Sequence, residues 1–465
     1  MNTKFNCYLT AAVIACSVGI FTSCNKLDIT PTDTLDPSKA YRNLPDINQG
    51  ILGAYAALDY TLIANTVTVA DEAVMPTENA VSNSDAYRWL YTPSSSSVTA
   101  AYQEYYLCID RINRTLAGLA QLPVTDVSLA NAYEGELLAL RAFAHLELLK
   151  AYAAGYEATA LAVPYMRESV ISLPKRHTVA ECMAFIKVDL ESAINLLPRG
   201  IEDPTRVSQM AAYAILARAA LFQKDWELAA LASTEVIKQI PLATKTEYPL
   251  IWKDKSEAEV IWKLARVGTT DSRIGSSFYR EDGGIVLYAP SQKLIKTFDK
   301  EQDVRYKASI TFDNTRAAGK SPYLIAKWLG GNSDAPGLAD IKLFRSAEAY
   351  LIRAEAYAEQ NKIAEANADI VALRKARITG YTAVNYANRA ALIQEINNER
   401  YKEFAFEGHR FFDLKRHKLP VERSSEDAAN TSGALTLRTT QAAYHFPIPA
   451  DEISVNKNTV QNPNY

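Results

Sequence analysis

A mainly α-helical fold, built on paired helices and interrupted by one loop-rich insertion, is predicted for this chain. Three observations predict it. Long segments carry apolar residues at spacings of three and four, and one pair of segments repeats another without gaps. Residues 241–342 then abandon that pattern for Pro, Gly and β-branched residues. Of the 465 residues, 48 % are apolar and 22 % charged, which excludes a disordered chain. A net charge of −3 gives no electrostatic reason to expect a nucleic-acid partner.

The first 24 residues, MNTKFNCYLTAAVIACSVGIFTSC, place one lysine before an apolar run from Tyr8 to Phe21. This is the layout of a secretory signal, too short and wrongly flanked for a stable membrane span. Phe21-Thr22-Ser23-Cys24 resembles the bacterial lipobox, in which the cysteine becomes the lipidated mature N-terminus. Residues 1–23 then form a signal peptide and Cys24 a lipid anchor; a plain cleavable signal is the alternative. Several acyl chains, at about 0.8 kcal/mol per buried methylene, hold a protein almost irreversibly. Cys7 and Cys16 leave with the signal. Cys108 and Cys182 read as two buried thiols that pair only if the fold brings them together. No Cys/His spacing suits zinc and no HExxH is present, so neither metal nor cofactor is expected.

Beyond Cys24, NKLDITPTDTLDPSKAYRN reads as an extended tether, and residues 45–60 as a short helix. Residues 71–98 read as loop around the aromatic knot Tyr87, Trp89 and Tyr91. Helices are predicted over 100–120, 127–154, 178–197, 207–223 and 226–239, with Asp225 capping the last of these. Helix returns at 343–361, 363–378 and 389–407, and residues 433–465 form an irregular tail. Within this series ARAALFQKDWELA (217–229) aligns on AEAYAEQNKIAEA (354–366), and LRAFAHLELLKAYA (140–153) fits the first-helix half of the template. Small residues let antiparallel helices approach, and a polar Q-K-D or Q-N-K corner turns the chain, as in tetratricopeptide-like pairs.

Five stretches carry a family resemblance. Lipobox Cys24 comes first. GELLALRAFAHLELLKAYAAGY (135–156), followed by Val163-Pro164-Tyr165, is similar to an early "ARFLRAFAYFxLxxxYG…P" helix. LFRSAEAYLIRAEAYAE (343–359) resembles "hxRhAEhYLxxAEA". ERYKEFAFEGHRFFDLKR (399–416) resembles "ERxxEFxxEGxRxxDLxR", and FPIPADEISVNKNTVQNPNY (446–465) ends the chain as "hPIPxxEhxxNpxLxQNPGY" does. Asn464 stands where glycine is usual, and Asn best shares glycine's backbone range. In order and spacing these stretches resemble the SusD/RagB family of Bacteroidetes surface lipoproteins. The resemblance implies a single SusD-like domain over 24–465, its helical scaffold mainly in 100–240 and 343–408. Ligand-side loops would lie in 71–98 and 241–342, and the family tail in 433–465. It also implies a location at the cell outer membrane, exposed at the surface. There the protein would capture an oligosaccharide, or in some members a peptide, and hand it to a SusC-like TonB-dependent transporter without doing chemistry.

The charged stretch poses the one catalytic question. On a helix Glu399, Glu403 and Glu407 form a single stripe that Gly408 ends, with His409, Arg410, Asp413 and Arg416 in the next turn. Arg410 is expected to fold back toward Glu403 or Glu407. Paired carboxylates serve a glycosidase only in an open cleft, and interleaved cations would keep both ionised, which disfavours a general acid. A structural ion network is therefore expected, with a surface glycoside hydrolase as the rival reading; no GxSxG supports an esterase. The ligand contacts expected from polar, Gly-rich loops are Trp89 with Asp85, Tyr87 and Tyr91, then Tyr279, Arg280, Tyr288 and Trp328. A sugar offers C–H groups to an aromatic face and hydroxyls to Asp and Arg, so such loops suit it. Trp226, Trp252 and Trp262, on helix or strand patterns, are expected in the core.

Overall fold

A computed structural model describes residues 40–465, apart from 81, 83, 124, 269, 270, 282, 283 and 333. The signal, the lipobox, Cys24 and most of the tether lie outside the described residues. The scaffold is mainly α-helical, as the periodicity predicts. Helices α1 (Leu44–Tyr55) and α2 (Thr61–Val69) precede α3 (Ser96–Leu119), α4 (Val127–Tyr152) and α5 (Val179–Leu196). Then come α6 (Gln209–Gln223), α7 (Trp226–Gln239), α8 (Ser346–Glu359), α9 (Ile363–Arg377), α10 (Arg389–Glu403) and the short α11 (Arg410–Arg416). Helix α2 lies wholly beyond the single short helix expected for 45–60. Each of α3 to α9 packs on the next, so the helices form a layered stack.

Local chemistry sets most of the boundaries. Asp126, Ser208, Asp225 and Asn388 each accept a hydrogen bond from the first turn of their helix, and Thr178 with Glu181 forms a full capping box. The repeat seen in sequence is a repeat of backbone conformation. Lys224 ends α6 at φ 61°, and Asn361, its aligned partner, ends α8 at φ 59°. Both are left-handed corner residues that turn the chain into the second helix of a pair. Buried alanines line the seam: Ala211, Ala214 and Ala217 on α6, and Ala347, Ala354 and Ala358 on α8.

The insertion is pinned at its ends. Strands β1 (Val260–Leu264) and β2 (Ile341–Arg345) pair antiparallel, Val260 against Arg345 and Leu264 against Ile341. Between them the chain forms short turns and two-stranded ribbons, and Ile274, Phe278, Tyr288 and Trp328 join Trp252, Val67, Met75 and Phe406 in a second core. Trp252 and Trp262 are buried, and Trp226 is half-buried. Cys108 and Cys182 are free, buried thiols.

The tail is clamped to the scaffold. Arg176 donates to the carbonyls of Tyr152, Leu161, Ala162 and Val460 and to Asn462 Oδ1, and Asn462 Nδ2 donates to the carbonyls of Tyr152 and Phe446. Asn464 sits at φ 71°, the left-handed backbone that a glycine would take most easily. Among the described residues no helix is long and apolar enough to cross a membrane.

Candidate functional site

The charged stretch folds as helix, turn and helix, with α10 ending at Glu403, one turn before the expected 407. Phe406 (φ 65°) and Gly408 (φ 79°) carry the turn, and a Cβ on Gly408 would stand 3.0 Å from the Ile63 backbone. Glu407 thus leaves the helix but reaches the same ion cluster. Glu403 meets Arg305, Arg345 and Arg377 at 3.3, 2.9 and 3.1 Å. Glu399 meets Arg305 at 2.6 Å and Arg374 at 2.7 Å; Glu407 meets Lys327 at 2.8 Å and Arg345 at 2.7 Å. Glu259 closes the ring onto Arg345 and Arg377. Arg410 does not fold back as expected. Its guanidinium grips Asp71 at 2.8 Å, tying α11 to the segment that follows α2. A second knot joins Asp413 to Arg400 and Arg416, each at 2.9 Å, and Arg416 to Glu355.

Every carboxylate of the stretch is buried and paired. Burial alone would raise Glu399, but Arg305, Lys402 and Arg374 hold it down to about 2. Glu403 also lies well below the usual range, its burial outweighed by Arg377, Arg345 and Arg305. Such groups stay ionised and have no proton to give a leaving group. The void beside Glu407, His409, Glu147 and Lys150 holds only about 30 Å³, room for a water or two and not for a sugar.

Asp71 and its neighbour behave oppositely. Burial would raise Asp71, yet Arg410 and Lys293 bring it to about 2. Glu72 accepts the Phe406 N–H at 2.9 Å while its Oε1 has no hydrogen-bond partner. Burial, with the Asp71 charge adding to it, pushes Glu72 up to about 8. A carboxyl raised on folding adds stability below its unfolded value, near 4.5, and that stability is lost as pH rises through about 8. Thermal melts of Glu72→Gln are therefore expected to gain on the wild type steadily from about pH 5 to pH 8. A constant gap across that range would contradict the assignment.

The expected ligand aromatics are placed differently from the exposed loop that the sequence suggests. Trp89, only 9 % exposed, donates its indole N–H to the Val69 carbonyl at 3.0 Å. The Arg423 guanidinium lies 4.2 Å from its ring and 3.9 Å from that of Tyr87. Tyr87 and Tyr288 pack together at 6.0 Å, and Tyr91 is buried against Phe446 with its hydroxyl on the Ala443 carbonyl. Trp328 is buried elsewhere, edge-on to Trp252 at 5.5 Å, with its N–H on the Phe406 carbonyl. For these five the expectation of an exposed ring face is corrected, because each ring is enclosed by packing. Asp85, half-buried, accepts the Ser97 hydroxyl at 2.8 Å.

Tyr279 and Arg280 stand apart from that core. They form one strand of the ribbon Tyr279–Arg280 against Ile285–Val286. Tyr279 is half-buried and Arg280 exposed, its Nη2 3.3 Å from the Ser82 hydroxyl. Tyr288 donates to the Ser82 carbonyl at 2.9 Å, so the 71–98 loop and the insertion meet here. Arg316 lies alongside, bonded to Glu78 and to the Gly284 carbonyl. The organising residue that sequence reasoning missed is Arg423. It also donates to the carbonyls of Tyr87 and Ala434, and a lone arginine in VERSS carries no local signal of that role.

The model of the SusD family matches residues 320–465, and the model described as starch-binding, associating with outer membrane, matches 27–221. The chain belongs to the SusD/RagB family. The two matches leave out residues 222–319, which hold most of the insertion, and support glycan binding and outer-membrane association at the level of the family. SusD-like protein P38 of Formosa agariphila is 22 % identical over 90 % of this chain and 93 % of its own. The starch-binding protein SusD of Bacteroides thetaiotaomicron is 34 % identical, but over 30 % of this chain and 26 % of its own. Among solved structures, a putative sugar binding protein of Bacteroides vulgatus superposes with TM-score 0.80 at 24 % identity, covering 92 % of this chain and 99 % of that one. A laminarin-binding SusD-like protein superposes at 0.72 and 19 % identity, covering 91 % of this chain and 100 % of its own. This SusD/RagB chain therefore shares the fold of these proteins, whatever each of them binds.

Proposed function

We propose that this SusD/RagB protein is a surface lipoprotein, anchored through Cys24, that captures an oligosaccharide and delivers it unaltered to a SusC-like TonB-dependent transporter. The observation that carries the reading is the complete pairing of Glu399, Glu403, Glu407 and Asp413 inside the scaffold. No carboxylate of that stretch is left for acid–base work, and recognition falls to the loop side of the molecule. There Tyr279 and Arg280 offer a ring and five donors on a ribbon that packs little of the core. The names of the sugar-binding and laminarin-binding neighbours support a glycan as cargo. Outer-membrane fractionation after a high-salt wash tests the anchor.

Affinity should be modest, about 4–8 kcal/mol, or millimolar to micromolar, because a shallow face has few anchors and cargo must be released. Tyr279→Ala and Arg280→Ala are each expected to weaken glycan binding by about 1–3 kcal/mol in calorimetry with the melting temperature unchanged. Unchanged affinity in both variants would move the binding face off this ribbon.

A further inference from the structure

A cleft of about 440 Å³ opens far along the chain from the ribbon, where the end of α6 and the segment after α4 meet the end of α11. Tyr156, Phe222 and Tyr444 give it aromatic walls, and Lys224, Lys415 and Lys418 bring three ammonium groups to it. Of these, Lys418 is paired with Glu157 at 2.6 Å. Arg416, also in the lining, is already spent on Glu355 and Asp413.

Lys415 is the anomaly. It is 4 % exposed, and among the described residues no carboxylate lies within ion-pair reach of it. Its Nζ has one distant acceptor, the Lys150 carbonyl at 3.5 Å, and lies 5.1 Å from the Tyr156 ring and 5.6 Å from the Phe411 ring. Among the described residues the other buried lysines are matched by carboxylates: Lys150 has Glu147, Lys327 has Glu407, Lys342 has Asp254. A buried ammonium without a counter-charge is costly, and burial alone pulls Lys415 down to about 7. His445, in the same lining, has a buried Nδ1 with no hydrogen-bond partner. The cleft thus holds one uncompensated buried cation, one exposed lysine and one unsatisfied ring nitrogen. The two lysines gain from an anion, and the ring nitrogen from a polar partner.

A bare inorganic anion would leave most of the volume and the aromatic walls unused, whereas about 300–1,000 Å³ is the usual size of a small-molecule site. We propose that this cleft binds an acidic sugar, its carboxylate or sulfate set against Lys415 and Lys224 and its ring against Tyr156 and Phe222. The inference rests on the glycan-capture reading and names a class of cargo for it.

Calorimetry of the mature chain tests it with four probes: a uronate-containing oligosaccharide, a sulfated one, a neutral one of equal length, and sodium sulfate. One or both acidic sugars are expected to bind at least tenfold more tightly than the neutral one, and the stronger of them identifies the anion. Lys415→Met, which keeps the side-chain length and removes an unpaired buried charge, should erase that preference while neutral-glycan binding persists. Lys224→Ala, at an exposed position, should reduce the preference severalfold with no loss of stability and serves if Lys415→Met fails to fold. The same acidic-sugar affinity in both variants overturns the proposal, as does a response to sodium sulfate alone, an adventitious ion only. Neutral binding without any acidic preference overturns this inference and leaves glycan capture standing. No binding of any sugar overturns capture itself.

Discussion

Replacing Glu403 by glutamine is expected to cost about 3–5 kcal/mol of folding stability, the largest single effect in the scaffold. The carboxylate is fully buried and shared by three guanidinium groups, those of Arg305, Arg345 and Arg377. Glutamine keeps the shape and deletes the charge, so three buried cations lose their common partner in a region that water does not reach. Arg345 would retain Glu259 and Glu407, and Arg305 would retain Asp303 and Glu399, which sets the upper end of the range. Urea unfolding should show the midpoint lowered at unchanged slope. Glycan affinity of the folded fraction should stay at the wild-type value, because the cluster faces no cleft. A variant of normal stability that lost a sugar-cleaving activity would restore the catalytic reading of this stretch.

Trp89→Ala is expected to lower stability by about 3–5 kcal/mol, the scale for emptying a buried tryptophan site. Three losses combine: the packing of the indole in the scaffold core, the N–H bond to Val69, and the face on which Arg423 rests. Arg423 would keep only Tyr87 and its ring of carbonyls. Affinity for a glycan should change far less than stability. The reverse pattern, a stable variant with affinity weakened tenfold or more, would return Trp89 to the ligand face.

What could be read from the sequence divides along physical lines. Helix content, the α6–α7 and α8–α9 pairs and the cap at Asp225 depend on residues within a few positions, and their spacing is written locally. The left-handed corner shared by Lys224 and Asn361 shows why ungapped alignment of the repeats was meaningful. Ion partnership is not local. Arg410 looked toward Glu407, three residues away, but took Asp71, 339 residues away, because the turn at Phe406 and Gly408 aims α11 toward the segment that follows α2. The aromatic knot failed for the same reason. A polar loop containing Trp89, Tyr87 and Tyr91 looks exposed until Arg423, 336 residues beyond Tyr87, packs over it. Arg280 is exposed and Tyr279 half-buried on a ribbon of only two residues per strand.

The most direct test of the account recovers the cargo. The mature protein is equilibrated with an oligosaccharide panel, bound sugars are separated from free, and both fractions are weighed by mass spectrometry. Bound oligosaccharide of unchanged mass, held at micromolar to millimolar affinity, is the result predicted for a capture protein in which Glu399, Glu403, Glu407 and Asp413 are each paired with an arginine. Shortened products accumulating with time, and lost in Glu403→Gln, would contradict it.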